Sequence, residues 1–260
     1  MNNIETFITE DGSIGLYNKE LDEIYHSRYG AKTEAYEKFI LPAKIIDNHP
    51  LDILDICYGI GYNTKCSLEN FKNINSIDCV EIDGELIKKS PDFKYRDDID
   101  EIIKNNLKAP DFIKFYIEDA RKFVKNCTKK YDIIFHDGFA PHKQSVLWSE
   151  DFIFQLIKLL KSDGIYCTYN HSKPVLNALK KCNLIIGKTN VNSTIASFCS
   201  NLILNPLDEF ELGELNTKSA ITYKDKNLNL THEEIIRKRL EEVNSSNLKT
   251  LSGYYKSHKT

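Results

Sequence analysis

From Leu51 onward the chain alternates between two hydrophobic periods. Short apolar runs of strand length are separated by stretches with helical spacing. Leu51 to Cys57 reads as a buried strand and Asn63 to Phe71 as a helix. Ser76 to Ile82 is a second strand, and Glu85 to Lys89 opens another helix. Phe112 to Ile117 is a third strand, followed by a short helix from Ala120 to Asn126. Tyr131 to His136 is a fourth strand. Asp151 to Leu160 is a strongly apolar helix with Phe152, Leu156, Leu159 and Leu160 on one face. Gly164 to Tyr169 is a fifth strand, Pro174 to Lys181 a helix, and Leu184 to Lys188 and Thr194 to Ser200 two further strands. Such alternation predicts an α/β fold: a seven-stranded, mostly parallel sheet with helices on both faces.

The flanks follow other patterns. Residues 1–49 form a lead-in. Phe7-Ile8-Thr9 and Ser13 to Tyr17 flank Asp11-Gly12, a hairpin signal. Glu34 to Leu41 has helical spacing and is expected to stop at Pro42. Residues 50–205 are the alternating core. Within it, Lys89 to Pro110 exceeds an ordinary connection and reads as an inserted helix with a flexible lead. Residues 206–260 form an extension. There Thr231 and Glu234 make a capping box for a helix to Val243. Leu248 onward reads as a loosely held, polar and basic tail.

Composition narrows the class. A hydrophobic share of 41% and a charged share of 28% are those of a soluble globular chain. The net charge of -3 does not announce a nucleic-acid binder, and it leaves room for a local basic patch. Seven cysteines without a C-x-x-C pair argue against a zinc cage or a redox pair, so no metal is expected. They fit reduced core thiols of a cytoplasmic protein. The start lacks a basic segment followed by an apolar one, and no apolar run reaches the roughly 20 residues needed to span a bilayer. No membrane partner is expected.

The chemistry gathers at strand ends. Asp55-Ile56-Cys57-Tyr58-Gly59-Ile60-Gly61 follows a buried strand and precedes a helix. Its pattern is acidic-x-small-x-Gly-x-Gly, which differs from the dinucleotide spacing and suits a nucleoside carrying an amino-acid arm. Glycines there let the backbone approach a ligand closely. Asp55 is placed to reach an ammonium. Glu81, with Asp83 as neighbour or helix cap, ends the second strand, where a carboxylate can accept ribose hydroxyls. Asp119 ends the third strand and can accept an adenine amine while the Ala120 N–H meets a ring nitrogen. Together these acids point to S-adenosyl-L-methionine or a close relative. Asp137 ends the fourth strand, where it could hold an amine nucleophile and take its proton. Phe139 offers a wall for a flat base. His136 and Trp148 read as packing residues.

The run from Asp137 to Ser149, Asp-Gly-Phe-Ala-Pro-His-Lys-Gln-Ser-Val-Leu-Trp-Ser, resembles the Asp-Gly-Phe-x-Pro…Leu-Trp-Thr/Ser signature of the MnmC methyltransferase domain. Tyr25 to Ala31 with Glu34, Leu54 to Asn63, Thr194 to Ser197, Thr222 to Asp225 and the helix Glu233 to Arg239 resemble other parts of that domain. The resemblance implies a class I, Rossmann-like methyltransferase acting on the amine of 5-aminomethyl-(2-thio)uridine at the tRNA wobble position. Asp55, Cys57, Gly59, Gly61, Asn63, Glu81, Asp83, Asp119 and Ala120 would bind S-adenosyl-L-methionine, with Asp137 catalytic and Tyr25, Glu34 and Phe139 at the base. The partners would be tRNA and upstream enzymes that supply the aminomethyl-uridine. The chain resembles the standalone form without the FAD-dependent oxidase domain. It departs from the family at Cys57-Tyr58, where Gly-Phe is usual, and in a thin basic cluster after Gly187.

Two other readings stay open. A spermidine-synthase-like aminopropyltransferase shares the acidic strand ends, but no second acid follows Asp137 before Glu150. A non-catalytic tRNA-binding protein on the same fold would explain Cys57 but not the intact acids. A basic face for tRNA would draw on Lys158, Lys161, Lys173, Lys180, Lys181 and Lys188, joined by Arg237, Lys238 and Arg239.

Overall fold

The computed structural model describes residues 3–258, so the first two and last two positions of the expected lead-in and tail lie outside the described residues. The chain opens with three short antiparallel strands, β1 (Ile4–Ile8), β2 (Ile14–Asn18) and β3 (Glu23–Ile24). Ile8 pairs with Ile14 around Asp11-Gly12. The Asp11 carboxylate accepts from Thr9 Oγ1 (2.7 Å) and Ser13 N (3.0 Å), closing the turn that the sequence signals.

The helix after this hairpin does not stop at Pro42. α1 (Ala31–Ala35) runs through a wide π-turn (Tyr36–Ile40) into α2 (Leu41–Ala43) and unwinds only at Lys44–Ile46. Proline cannot bond the carbonyl four residues back, and its ring crowds a normal turn. Here the wider turn makes room, and the Lys38 carbonyl accepts from the Ser193 hydroxyl at 3.4 Å.

The main sheet contains β4 (Leu51–Ile56), β5 (Ile74–Glu81), β6 (Ile113–Ile117), β7 (Tyr131–His136), β8 (Leu160–Thr168), β9 (Ile185–Lys188) and β10 (Thr194–Ser197). Their order is β6-β5-β4-β7-β8-β10-β9. β4 to β8 pair in parallel, while β10 runs antiparallel to β8 and β9. The remaining helices are α3 (Tyr62–Asn70), α4 (Gly84–Lys89), α5 (Asp97–Lys108), α6 (Ala120–Asn126), α7 (Glu150–Ile157), α8 (Lys173–Lys181), α9 (Glu209–Glu214), α10 (His232–Ser245) and α11 (Leu251–Ser257). The seven-stranded, mostly parallel architecture is the one the alternation implies. After β4 the chain moves outward to β5 and β6, then returns to place β7 on the other side of β4. That reversal opens a crevice at the carboxyl ends of the strands, the usual ligand position in open α/β sheets.

Each face of the sheet has its own core. On one, Leu16, Ala31, Phe39 and Ile40 of the lead-in pack with Ile53, Ile77 and Phe135. On the other, Leu207, Leu215, Tyr223 and Ile235 of the extension pack with Ile134, Trp148, Phe152 and Tyr166. Both flanks therefore bury apolar surface that the sheet would otherwise expose.

Two expectations are corrected here. The apolar helix ends at Ile157, and Leu160 belongs to β8, where it pairs with Tyr131. Tyr131 N donates to Leu159 O at 2.8 Å, so sheet pairing captures the residues that would have formed the last turn. The tail is not loose over its described part. Thr250 caps α11, Tyr254 Oη donates to Phe210 O (3.1 Å), and Tyr255 bonds Glu214. The Thr231–Glu234 capping box forms as expected. No helix among the described residues is long and apolar enough to cross a membrane.

Candidate active site

A cavity of about 680 Å³ lies at the carboxyl ends of β4 to β8, roofed by the segment Asn18 to Ser27. That size suits a small organic ligand. Seven acids line it (Glu23, Glu34, Glu81, Asp83, Glu118, Asp119 and Asp137) against one arginine, Arg121. The field inside therefore favours cations and repels phosphates.

The loop after β4 forms the floor. Cys57, Gly59 and Gly61 all have positive φ, at 68°, 58° and 85°. A side chain at Gly61 would strike the buried Tyr58 ring, which explains that glycine. Cys57 N and Tyr58 N donate to Val80 O at 3.0 and 3.1 Å, and this ties the loop to β5. Glu81 completes the tie. Its carboxylate accepts from Gly59 N (2.9 Å), Ile82 N (2.9 Å) and Asp83 N (3.0 Å). Burial raises the proton affinity of Glu81, and these donors oppose the rise. A Cβ on Gly59 would meet only Tyr25 Cδ1, at 3.7 Å, and Cys57 O, at 3.9 Å, so the loop leaves open space beside it.

The other expected cofactor residues divide into two groups. Asp83 caps α4 through Glu85 N (2.9 Å), and Asp119 caps α6 through Arg121 N (2.7 Å), while both line the cavity with Cys57, Gly59, Glu81 and Ala120. Burial would raise the Asp119 carboxyl, but its bonds to Arg121 outweigh this and lower it. Asp55, Gly61 and Asn63 stand behind the wall. The Asp55 carboxyl is fully buried, accepts from Thr64 Oγ1 at 2.7 Å, and is pushed up to about 6 by burial.

Asp137 faces the cavity from the end of β7, held at its N–H by Ile56 O (3.2 Å). Asn63 Nδ2 donates to Asp137 Oδ2 at 2.9 Å. Burial first, and then the nearby Glu34 charge, raise the Asp137 carboxyl to about 8. Glu34 accepts from Ser27 N (2.7 Å) and pairs with Lys38 (2.5 Å), one turn along the same helix. Tyr25 and Phe139 meet edge to face with ring centres 4.8 Å apart, forming an aromatic wall. His136 lies outside the cavity. It stacks on the fully buried Trp148 at 4.1 Å and bonds Tyr166 Oη at 2.8 Å. Trp148 Nε1 in turn donates to Phe139 O at 2.6 Å, which fixes the wall from behind.

Among the lining residues that sequence reading missed are Tyr169 and His26. Tyr169 follows β8 and donates to Gly138 O at 2.9 Å; its place after a strand end was the available signal. His26 lines the roof with its Nδ1 unpartnered, and burial lowers its proton affinity to about 4. Six residues of the expected basic face are held by partners within the chain. Lys161 pairs with Asp52 and Asp132 at the amino ends of β4 and β7, away from the cavity. Lys173, Lys181 and Lys188 are held by Glu214, Glu150 and Glu211. Arg237 pairs with Glu241, and Arg239 donates to the Ile221 and Ser219 carbonyls.

Residues 91–194 match the family model described as S-adenosyl-L-methionine-dependent methyltransferase. The uncharacterized protein MJ0670 of Methanocaldococcus jannaschii is 33% identical over 254 residues, covering 90% of this chain and 70% of that protein. The crystal structure of MnmC2 from Aquifex aeolicus superposes with a TM-score of 0.81 at 27% identity, covering 94% of this chain and 86% of that one. A bifunctional MnmC tRNA 5-methylaminomethyl-2-thiouridine biosynthesis protein of Campylobacter hominis is 34% identical over 71 residues, which span only 11% of its length. A polyamine aminopropyltransferase of Pyrobaculum arsenaticum is 25% identical over 201 residues, 72% of this chain and 67% of that protein.

Proposed function

The chain belongs to the S-adenosyl-L-methionine-dependent methyltransferase family, and we propose that its acceptor is the amine of 5-aminomethyl-(2-thio)uridine at the wobble position of tRNA. The observation that carries this reading is Asp137, part-buried in an acidic cavity beside the Tyr25–Phe139 wall. The acids receive a cationic amine, and the wall receives a flat base. The likeness to MnmC2 supports the same reading.

The cavity fits the methyl donor by its chemistry. Glu81 and Asp83 would take the ribose hydroxyls, Asp119 and the Ala120 N–H the adenine, and the Cys57–Gly59 loop the amino-acid arm, with Asp55 and Asn63 behind it. When bound, S-adenosyl-L-methionine supplies an electrophilic methyl group on a positively charged sulfur. Asp137 does the work on the acceptor side. It draws in the ammonium, orients it, and accepts a proton so that the nitrogen presents a lone pair. A carboxyl near 8 is well matched to that exchange at neutral pH. Methyl transfer needs the aminomethyl group already in place, so a separate reaction must supply it, and the reading places the reaction with tRNA in the cytoplasm.

The aminopropyl-transfer reading keeps the acids but lacks a second acid after Asp137, where Gly138-Phe139-Ala140 stands. The test incubates labelled S-adenosyl-L-methionine with aminomethyl-uridine tRNA and separately with putrescine. Methyl transfer to the tRNA is expected, and label reaching the polyamine alone overturns the proposal. Asp137→Ala should lower tRNA methylation by ~10²-fold or more with cofactor binding intact. Near-normal turnover would remove Asp137 from its role.

A further inference from the structure

Asn63 was grouped with the cofactor residues by sequence, yet its amide points elsewhere. It stands in the first turn of α3, near the fully buried Asp55 and the cavity-lining Asp137. On the acceptor side its Nδ2 donates to Asp137 Oδ2 at 2.9 Å. On the donor side lies Asp55, whose Oδ2 accepts from Thr64 Oγ1 at 2.7 Å. Asn63 is 6% exposed, and its own Oδ1 has no partner among the described residues; neither has Asp55 Oδ1. The chain leaves acceptors unpaired in a dry place, at a cost that a ligand or a proton can offset.

We propose that Asn63 is a positioning residue that assigns the two oxygens of Asp137 different tasks. Oδ2 is held by the amide. Oδ1, which has no hydrogen-bond partner among the described residues, is left to receive the substrate ammonium. Asp55 acts on Asp137 through its charge, so a cation arriving on the methyl-donor side is felt at Asp137 as well.

The charge balance gives the link its sign. The groups acting on Asp137 are Glu34 and Lys38 from the first helix and Asp55 from β4, and Asp137 in turn acts on Cys57 in the loop and Tyr169 after β8. Lys38 is the one cation of this set, and it is paired with Glu34. With like charges dominant, the empty cluster retains a proton. A bound sulfonium replaces that proton's charge, and the proton leaves to solvent as Asp137 ionises. Methyl-donor binding thus readies the acid that receives the amine. The balance is one cation in and one proton out, with no bond broken other than O–H.

The idea rests on the proposed role of Asp137, but its test needs no tRNA. Calorimetry of S-adenosyl-L-methionine binding in buffers of different ionisation enthalpy counts protons released. S-adenosylhomocysteine, which lacks the sulfonium charge, is the paired ligand. The methyl donor should release more proton than its product between pH 6 and 8. Asn63→Ala should move that release to higher pH by about one unit, because a hydrogen bond to the ionised form is lost. Asp137→Asn, which covers the case in which Asn63→Ala does not fold, should abolish the difference between the two ligands. Equal release for both ligands in the native chain overturns the proposal. So does an unmoved profile in Asn63→Ala, or an undiminished difference in Asp137→Asn. If the proton count holds and tRNA is not methylated, the substrate reading alone has failed.

Discussion

Asp137→Asn should make the fold more stable while it destroys turnover. The change is close to isosteric, and the new carbonyl oxygen can still accept from Asn63. Folded, the native carboxyl sits at about 8 because burial and Glu34 penalise its charge. Unfolded, it returns to an ordinary ~3.9. The folded state therefore binds this proton more tightly, and the linked stability is fully present below pH ~4 and lost as pH rises to about 8. At ~1.4 kcal/mol per pH unit, the ceiling is about 6 kcal/mol. The carboxyl lines an open cavity, so water and relaxation should reduce this to about 2–3 kcal/mol. Asparagine does not titrate and escapes the loss. Urea unfolding of both proteins at pH 5, 7 and 8.5 measures it. Because 2–3 kcal/mol corresponds to a shift of about two pH units, the advantage of Asp137→Asn should grow by about 1 kcal/mol between pH 5 and 7 and be flat by pH 8.5. A difference that ignores pH, or a variant less stable than the native chain at pH 8.5, would refute the reasoning. The expected outcome is a trade of stability for function at one atom.

Two further outcomes follow from the loop and the insert. Cys57 holds φ at 68°, a region that costs a non-glycine residue about 1–2 kcal/mol. Cys57→Gly should thus be within about 1 kcal/mol of the native chain, whereas Cys57→Ala, which keeps the strain and loses the sulfur, should be the less stable of the two by urea midpoint; the reverse order would show that the strain is absent. Lys65 is 1% exposed and donates to Ser90 O (2.6 Å) and Phe93 O (2.8 Å), with Asp100 at 3.2 Å. Lys65→Met should cost about 3 kcal/mol by leaving these groups unpaired, and hydrogen exchange should rise first in residues 90–100; unchanged stability would mean the pairing contributes nothing net.

What the sequence determined by itself was local. Two hydrophobic periods set the strands, their parallel sense and the helices between them, because burial on both faces of a sheet leaves no other pattern. The positions of Glu81, Asp119 and Asp137 followed, since strand ends are readable and open α/β sheets bind at those ends. The capping box at Thr231 was legible for the same reason: its two hydrogen bonds span three residues. The tertiary structure decided whatever depends on distant partners. Pro42 stays helical because Ser193 serves the Lys38 carbonyl from 155 positions away in the chain, and Leu160 turns to strand because Tyr131 pairs with it. Neither partner falls within one period of a pattern. The partners of Lys161, Lys173 and Lys188 in the expected basic face were invisible for a related cause, because counter-ions come from other elements and charge in a sequence carries no address. Asn63 is the sharpest case. Its place beside the glycine loop suggested a cofactor ligand, while the fold turned its amide toward Asp137, 74 residues later, across the crevice between β4 and β7. Spacing along the chain told which residues share a strand end, and only packing told which way each side chain faces.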